Sequence, residues 1–397
     1  MQLRTLEPFR FLLSFTILIW HYQHFFLGQN VDPFRFQPHL QPLYYNLKIF
    51  YLQGDFAVML FWAVSGVVFA HVYGERLRRR EIGFVGYAVN RLARLYPLHL
   101  VTLFVVAGLN ALFLAQSLSL YGHEKWFIYQ QNDLFHFGLN LLFASQWGFQ
   151  DGFSFNGPIW SVSVEILAYL AFFLAALCLR LSVPVSAGLF FGLIFLTQET
   201  GLPVNDDIAR CFVFFFGGVF VYALNRAIRE RCSPRWTRGV DGALALMVVF
   251  CTVMVFDRFY FKGALFEAIK NGFHQADTAI PGSNWLFWNL HQHWDYLIFA
   301  PVCVLFLLRL EAYVGDRVPR PGLYLGKLTY SMYLWHFPIQ LGIVLTLDRL
   351  GVGRAMFHHP AALTAFIAIV MAVSHLSFKW IEDPARCWIR TRAGGTG

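Results

Sequence analysis

Arg10 and His21 are two ionisable residues in an otherwise apolar segment, RFLLSFTILIWH, near the start of the chain. If this segment is helical, the eleven-residue spacing makes about three full turns. Both side chains then lie on one face, about 16 Å apart along the axis. Ionisable groups deep in an apolar helix are costly and usually mark a pathway or a site, so we interpret His21 as functional. For Arg10, an arginine that reaches the headgroups from a helix end is an equally good explanation.

A carboxylate has a similar setting in NGPIWSVSVEILAYL, where Glu165 follows the favourable helix-start residue Pro158. At 1.5 Å per residue, Glu165 lies about 12 Å inside the outer end of its segment, and His21 about 10 Å inside the end of its own. Groups at one depth can hydrogen-bond, which would orient the imidazole and raise its basicity. The alternative is a structural ion pair that holds two helices together.

A second histidine, His336, stands in the apolar stretch LTYSMYLWHFPI. Pro338 has no backbone N–H, so it leaves the carbonyl of Leu334 without its helical partner. A kink beside a buried histidine suits a helix that lines a cavity. The alternative is a packed core histidine that bonds to the freed carbonyl.

Arg91 and Arg94 form an R-x-x-R pair in RLARLYPLHL, at the entry to another apolar stretch. Residues three apart share a helical face, so the two guanidinium groups could grip phosphates together. Anchoring of the helix at the cytosolic surface explains the same charges equally well.

Taken together, these residues describe an anion-binding patch on one side of a membrane and a buried acid–base pair nearer the other. This arrangement suits an enzyme that takes a phosphorylated carrier from the cytosol and modifies a compound outside. It also suits a transporter or flippase of a lipid-linked glycan that uses the buried histidine and glutamate as a relay. The HxH pair His291 and His293 has no further ligands beside it, so we predict no metal site.

The elements that must hold these residues are membrane helices. The chain has 397 residues, of which 57% are hydrophobic and only 14% charged, a composition typical of polytopic membrane proteins. We predict an all-α integral membrane protein of about ten transmembrane helices. The predicted spans are residues 8–28, 50–72, 97–116, 157–180, 184–199, 208–224, 240–256, 295–310, 322–346 and 361–382.

The distribution of charge orients these spans. The net charge is +8, and most Lys and Arg residues fall in the loops that are cytosolic if the N-terminus is inside. This bias follows the positive-inside rule and predicts that both termini are cytosolic. It also accounts for the basic balance without nucleic acid, which is not a predicted partner. Two long outer loops, 117–156 and 257–294, are candidates for function. The second carries Trp285, Trp288 and Trp294, which could stack on sugars or belong to an aromatic belt at the membrane interface.

Six segments resemble, in the same order, the motifs of the acyltransferase 3 family of membrane O-acyltransferases, whose members acetylate O-antigen, exopolysaccharide and nodulation factors. The resemblance covers nearly the whole chain, and the joint occurrence of the motifs is more specific than any one. The segments are LRTLEPFRFLLSFTILIWH, LFWAVSGVVFA, RLARLYPLHL, IWSVSVEILAYL, LGKLTYSMYLWHFPI and WIEDPARCWIR.

The resemblance implies a role for each candidate residue. His21, Glu165 and His336 would be the catalytic residues, and Arg10, Arg91 and Arg94 would bind acyl-CoA, mostly acetyl-CoA, as the donor substrate. Supporting residues would be Ser65, Tyr330 and Trp160. The implied reaction moves an acyl group from cytosolic acyl-CoA to a hydroxyl of a glycan or lipid-linked sugar at the outer side of the bacterial cytoplasmic membrane.

The sequence departs from the family pattern at two positions, and it also lacks a segment that resembles the fused domain of some members. Met59 stands where the second span often carries an acid or amide, and Ile166 replaces the second glutamate of the SVEE motif. Asp55, one turn before Met59, could substitute for the missing acid. We predict that residues 1–397 form a single transmembrane acyltransferase domain without the fused SGNH-type domain of some members.

Overall fold

The computed structural model describes residues 3–26, 37–114, 131–199, 205–277, 280 and 282–392. Throughout these residues the regular secondary structure is helical, with no strand, so the prediction of an all-α fold is confirmed. The α-helices of this part of the chain are α1 (Leu6–His21), α2 (Tyr44–Leu52), α3 (Gly54–Arg78), α4 (Phe84–Leu114), α5 (Leu134–Leu141), α6 (Trp160–Cys178), α7 (Val183–Ile194), α8 (Asp206–Arg231), α9 (Pro234–Tyr260), α10 (Ala264–Ala276), α11 (Ser283–Gln292), α12 (Ala300–Val314), α13 (Arg320–Lys327), α14 (Thr329–Arg349), α15 (Pro360–Ser377) and α16 (Asp383–Arg392).

Within the described residues, seven helical segments are long and apolar enough to cross a membrane: those built on α3, α4, α6, α8, α9, α12 and α15. The other three predicted spans also contain a helix, but α1 has only 16 residues, α7 is shorter still, and α14 is more polar. Each of the ten predicted segments is therefore helical. The count of ten crossings and the cytosolic position of both termini stay predictions.

The pair α3 and α8 forms the centre of the helix bundle, and glycines bring their backbones into contact. A Cβ added at Gly66 would lie 1.9 Å from the carbonyl oxygen of Phe215, and one added at Gly218 would lie 1.9 Å from that of Ala63. Small residues permit this close approach of apolar helices, where packing and not exclusion of water holds the helices together.

Helix α1 packs against α2, α3, α13 and α14, and Leu6, Ile17 and Ile19 on its inner side are almost completely buried. Its N-terminal end is tied to α12, since the backbone N–H and the hydroxyl of Thr5 both donate to a carboxylate oxygen of Glu311, at 2.7 and 2.8 Å. This attachment satisfies one of the free N–H groups near the helix start. Both ends of α1 are thereby held by other helices, because its C-terminal end is also bonded to α14, as described below.

Helix α9 lies at the outside of the bundle and buries few of its side chains, chiefly Cys251 and Asp257. Many of its exposed residues are large and apolar, among them Leu246, Val249 and Phe256, as expected for a lipid-facing helix. A bidentate ion pair between Arg309 of α12 and Asp241, at 2.7 and 3.1 Å, fixes it to the bundle.

The two long predicted loops contain helices. In the segment 257–294, α10 and α11 follow α9, and the carboxylate of Asp257 accepts hydrogen bonds from the backbone N–H groups of Leu265 and Phe266, both at 3.0 Å. In the segment 117–156, α5 forms, while residues 115–130 lie outside the described residues. Trp288 and Trp294 belong to the α11 region, and the side chain of Trp285 lies outside the described part.

Candidate active site

A cavity of about 370 Å³ lies between α1, α3, α4, α6, α13, α14 and α16. Six of the nine residues predicted for the site line it, although they come from five different helices: Arg10, Ser65, Arg91, Arg94, Glu165 and Tyr330. The other three, His21, His336 and Trp160, are not in its wall. The structure thus brings most of the predicted residues together and places the two histidines in a neighbouring position.

The wall of the cavity is strongly cationic. The basic lining residues are Arg10, Arg91, Arg94, Lys327, Arg386 and Arg390, against the carboxylates of Glu7 and Glu165. Such an excess of one sign in a partly enclosed space focuses the field and attracts a ligand of the opposite charge. Guanidinium groups in particular form paired hydrogen bonds with phosphate oxygens. The cavity therefore suits a polyanion.

The arginines of α4 face the cavity and are held there by specific contacts. Arg91 donates to the hydroxyl of Tyr73 at 2.7 Å and lies over the rings of Phe69 and Tyr73, at 4.8 and 5.0 Å. Arg94 pairs with the fully buried Glu382 at 3.7 Å. These partners point both side chains into the protein, so anchoring at headgroups does not explain them.

Glu165 lies at the cavity wall, where the hydroxyls of Ser65 and Tyr169 are close to its carboxylate and Arg91 and Arg10 are the nearest charges. Within the described residues its Oε1 is buried without a hydrogen-bond partner. The expected hydrogen bond to His21 is not present, and this interpretation was wrong. The depth estimate placed both groups at one height, but Trp20, next to His21, packs on Gly54 of α3, whereas Glu165 lies beside Ser65, about 16 Å further along that helix.

His21 is the last residue of α1, and the hydrogen bond that sets its tautomer comes from its own helix. Nδ1 lies 2.9 Å from the carbonyl oxygen of Ile17. A carbonyl oxygen can only accept, so Nδ1 carries the proton and Nε2 carries the lone pair. The side-chain amide of Gln340 on α14 donates to the backbone carbonyl of His21 at 3.0 Å, which fixes the end of α1. A lone pair at Nε2 is what a general base or a nucleophile needs.

The ring of His336 is buried and packs against His21, with 4.4 Å between the ring centroids. Its Nε2 has no hydrogen-bond partner among the described residues. The carbonyl of Leu334, freed by Pro338, accepts a hydrogen bond from Nδ2 of Asn156 at 3.2 Å. His336 therefore does not bond to this carbonyl, as it would if it were the packed core histidine of the alternative explanation. This asparagine precedes the turn that starts α6 and thus joins α6 to the part of α14 that precedes Pro338.

Helix α3 shows how the cavity and the histidines are related in height. Gly54 packs directly against Trp20, the neighbour of His21, whereas Ser65 lies beside Glu165 and Tyr73 bonds to Arg91. At 1.5 Å per residue, these levels are about 16 and 28 Å from Gly54. Val58, one turn from Gly54, still lines the cavity. The cavity therefore runs from the arginines to within about one turn of the histidine level.

Tyr333 stands between the cavity and the histidines. It lines the cavity, its ring lies 5.8 Å from that of His336, and its hydroxyl donates to the carbonyl of Pro158 at 2.6 Å. The hydroxyl of Ser161 lies 2.6 Å from the hydroxyl oxygen of Tyr333. The predicted supporting residue Trp160 is near this region but packs edge-on against Trp62, at 5.7 Å between centroids.

Sequence reasoning missed Tyr333, Gln340, Lys327, Arg386 and Arg390. Tyr333 and Gln340 are three residues before and four residues after His336, so the helical spacing of a shared face could have found them. The same spacing relates Arg386 to Arg390. For Lys327 no comparable signal exists in the sequence.

Comparison with known proteins identifies the family of the chain. The family model described as an acyltransferase domain matches residues 5–378, so the chain belongs to that acyltransferase family. Together with its apolar helices, this makes it a multi-pass membrane protein of the acyltransferase class, and the resemblance to the acyltransferase 3 family is confirmed.

A curated relative is the Bacillus subtilis (strain 168) protein named "Putative peptidoglycan O-acetyltransferase YrhL". It is 27% identical over 90 residues, which cover 22% of this chain and 13% of that protein. The match thus spans only a small part of the relative's length. Comparison with solved structures gives no match.

Proposed function

We propose that this protein is an O-acyltransferase of the bacterial inner membrane that moves an acetyl group from cytosolic acetyl-CoA to a hydroxyl of a surface glycan or lipid-linked sugar. The observation that carries the proposal is the relation of two sites along α1. Arg10 faces a cationic cavity at one end, and His21 offers the lone pair of Nε2 at the other. A thioester carrier with a charged end and a long neutral arm matches both.

The donor would bind with its phosphates among the arginines. CoA carries a diphosphate and a ribose phosphate, and Arg10, Arg91 and Arg94 offer guanidinium groups to such oxygens. Glu165, which lies near Arg10 and Arg91, would orient these side chains. In this proposal Glu165 acts on the donor side of the reaction, because it has no contact with His21.

The pantetheine arm would extend past Ser65 and Tyr330 toward Tyr333, and bring the thioester to the level of His21. The apolar residues Val58, Phe61 and Trp62 line this part of the cavity, and they suit the neutral arm better than its charged end. The distance of about 16 Å from Ser65 to Gly54 along α3 is a height that an extended arm has to cover.

The acyl transfer needs only acetyl-CoA, the acceptor hydroxyl and side chains of this protein. Nε2 of His21 takes the proton of the acceptor hydroxyl while the oxygen of that hydroxyl attacks the carbonyl carbon of the thioester. The C–S bond then breaks, and the CoA thiolate leaves and takes the proton, so that an ester and free CoA are formed. His336, packed on His21, would assist the proton transfer. The same lone pair could instead attack the thioester first and form an acyl-histidine.

The acceptor class rests on the relative. The printed name of the Bacillus subtilis protein describes O-acetylation of peptidoglycan, a glycan. We propose a glycan acceptor for this chain on that likeness, and on the exposed Trp288 near the predicted outer surface, which could stack on a sugar ring.

The test uses the full chain in lipid nanodiscs with acetyl-CoA and a bacterial glycan extract, and follows the release of free CoA and the labelling of the glycan. The wild type should release CoA and label the glycan, and His21→Ala should lower both rates by about 10²- to 10⁴-fold, the usual contribution of a general base. His71→Ala is the matched control, because His71 bonds to Tyr222 away from the cavity.

Two outcomes would refute the proposal. One is a His21→Ala variant that keeps the rate of the wild type. The other is translocation of a lipid-linked glycan by the wild type without any release of CoA, which would favour the transporter alternative.

A further inference from the structure

Helix α16 contributes to the cavity although it lies beyond the residues that the family model matches. The family match ends at residue 378, and α16 spans Asp383–Arg392. Arg386 and Arg390 of this helix nevertheless belong to the cavity wall, beside Arg91 and Arg94 of the family domain. A segment beyond the matched residues thus supplies two of the six basic side chains.

Contacts with the bundle hold α16 in this position. A π-helical turn, Phe378–Glu382, connects it to α15, and Glu382 at the end of this turn is fully buried. Its carboxylate accepts from the hydroxyl of Ser331 at 2.8 Å and pairs with Arg94 at 3.7 Å. Helix α16 also packs against α4, which carries Arg91 and Arg94. The helix is therefore a fixed wall of the cavity.

The two faces of α16 differ. Arg386 and Arg390 are four residues apart and share the face toward the cavity. Trp388 and Arg392 are exposed, and the guanidinium of Arg392 lies over the Trp388 ring at 4.7 Å. One helix thus carries cavity arginines and an arginine outside the cavity, which makes a matched comparison available.

The charges of the cavity are only partly compensated within the described residues. Arg10 pairs with Glu7 at 3.2 Å, Arg94 with Glu382, and Arg386 with Asp383. Lys327 and Arg390 have no ion pair in this part of the chain, and Nε of Arg390 is buried without a hydrogen-bond partner there. A buried donor of this kind costs free energy unless a ligand bonds to it.

Arg390 lies at the end of the cavity that is farthest from the histidines. Its nearest charged and polar neighbours include Arg386, Tyr73 and Arg91. Tyr73 lies about 28 Å along α3 from Gly54, the residue beside Trp20. A donor whose thioester reaches His21 would have its opposite end here.

We propose that α16 forms a separate phosphate subsite of the donor cavity, in which Arg390 and Arg386 bind the ribose 3′-phosphate of acyl-CoA. This inference rests on the proposed function, since it takes acyl-CoA to be the donor. Arg10, Arg91 and Arg94 then bind the diphosphate, which is closer to the thioester. The terminal helix would decide whether the protein distinguishes acyl-CoA from donors that lack the 3′-phosphate.

The experiment measures kcat and KM of the full chain in nanodiscs with three donors: acetyl-CoA, 3′-dephospho-acetyl-CoA and S-acetyl-pantetheine. Direct binding of CoA and 3′-dephospho-CoA gives a second readout without turnover. The variants are Arg390→Gln, Arg386→Gln and, as the control on the same helix, Arg392→Gln.

We expect Arg390→Gln to raise KM for acetyl-CoA, and Kd for CoA, by about tenfold or more, the size expected for loss of a charge-assisted hydrogen bond. Arg386→Gln should act in the same direction. Neither variant should change KM for 3′-dephospho-acetyl-CoA or S-acetyl-pantetheine, and kcat should stay near that of the wild type. Arg392→Gln should leave every constant unchanged.

Three results would overturn the assignment. The first is that Arg390→Gln gives the same constants as Arg392→Gln, which would mean that α16 has no role in donor binding. Equal losses with all three donors would mean a structural role, and equal losses with acetyl-CoA and 3′-dephospho-acetyl-CoA alone would move the subsite to the diphosphate. A wild-type protein that neither binds CoA nor uses acetyl-CoA would instead refute the proposed function itself.

Discussion

The imidazole rings of His21 and His336 lie 4.4 Å apart, where the end of α1 meets the middle of α14. One of them has its tautomer set by the carbonyl of Ile17, and the other has a buried Nε2 without a partner in the described residues. The pair lies about one turn beyond the end of a cation-lined cavity. Because the two rings are in contact, a change of the His336 side chain alters the packing around the ring of His21.

This contact predicts a smaller but definite effect of His336 on turnover. His336→Asn should lower kcat by about tenfold to a hundredfold, less than removal of a general base, because the lone pair of His21 remains. KM for acetyl-CoA should change little, since the arginines are untouched. Steady-state kinetics of CoA release measure both constants, with His71→Asn as the control. A kcat equal to that of the wild type would exclude a role for the second ring.

A second prediction concerns the amide that fixes the end of α1. Gln340→Leu removes the donor to the carbonyl of His21 and leaves that carbonyl without the bond, which costs about 1–3 kcal/mol of stability where the group is buried. The ring of His21 should lose its fixed position, so kcat should fall several-fold while KM for acetyl-CoA is unchanged.

The control for Gln340 is Thr346→Val on the same helix, because Thr346 donates only to the carbonyl of Gly342 within α14. Thermal unfolding in detergent and steady-state kinetics test the two effects separately. If Gln340→Leu lowered thermal stability but left kcat intact, the amide would support the fold and not the position of His21.

The crossing of α3 and α8 gives a third prediction, on stability. Gly66→Ala or Gly218→Ala would place a methyl group against a backbone carbonyl of the other helix, so the helices must move apart. Overpacking of this kind costs about 1–3 kcal/mol. The midpoint of thermal unfolding should fall, and activity should fall with it, because Ser65 and Phe69 of the displaced helix line the cavity.

Gly108→Ala is the matched control for these two variants, since a Cβ at Gly108 of α4 meets no atom within 4 Å. Alanine there should be neutral or slightly stabilising, because it favours the helix. Equal thermal stability of Gly66→Ala and Gly108→Ala would contradict the close crossing.

The helices and the cation-lined cavity could largely be predicted from the sequence, because apolar runs and the spacing of Arg91 and Arg94 are local signals. The pairing of Glu165 with His21 could not. Relative heights of two helices depend on how the helices pack, and the apolar runs that contain His21 and Glu165 carry no local signal of that offset. Tertiary contacts decide these heights, since Trp20 packs on Gly54 of α3 and Glu165 lies beside Ser65 of the same helix.

The same limit applies to the segment 257–294 and to α16. The carboxylate of Asp257 starts α10 by accepting two backbone N–H groups, a contact that becomes visible only once the chain has turned. For α16, a basic stretch after the last apolar run fits a cytosolic tail equally well. The structure shows that Glu382 is buried and pairs with Arg94, and that Arg386 and Arg390 of α16 line the cavity.

The π-helical turn Phe378–Glu382 has a consequence for insertions and deletions near the C-terminal end. Each residue added to or removed from a helix rotates everything after it by about 100°. A chain that lacked Phe378, Trp380 or Ile381 would keep the same net charge and nearly the same hydropathy, yet Arg386 and Arg390 would turn away from the cavity. Donor preference could therefore diverge between otherwise similar proteins through a single-codon change far from any catalytic group.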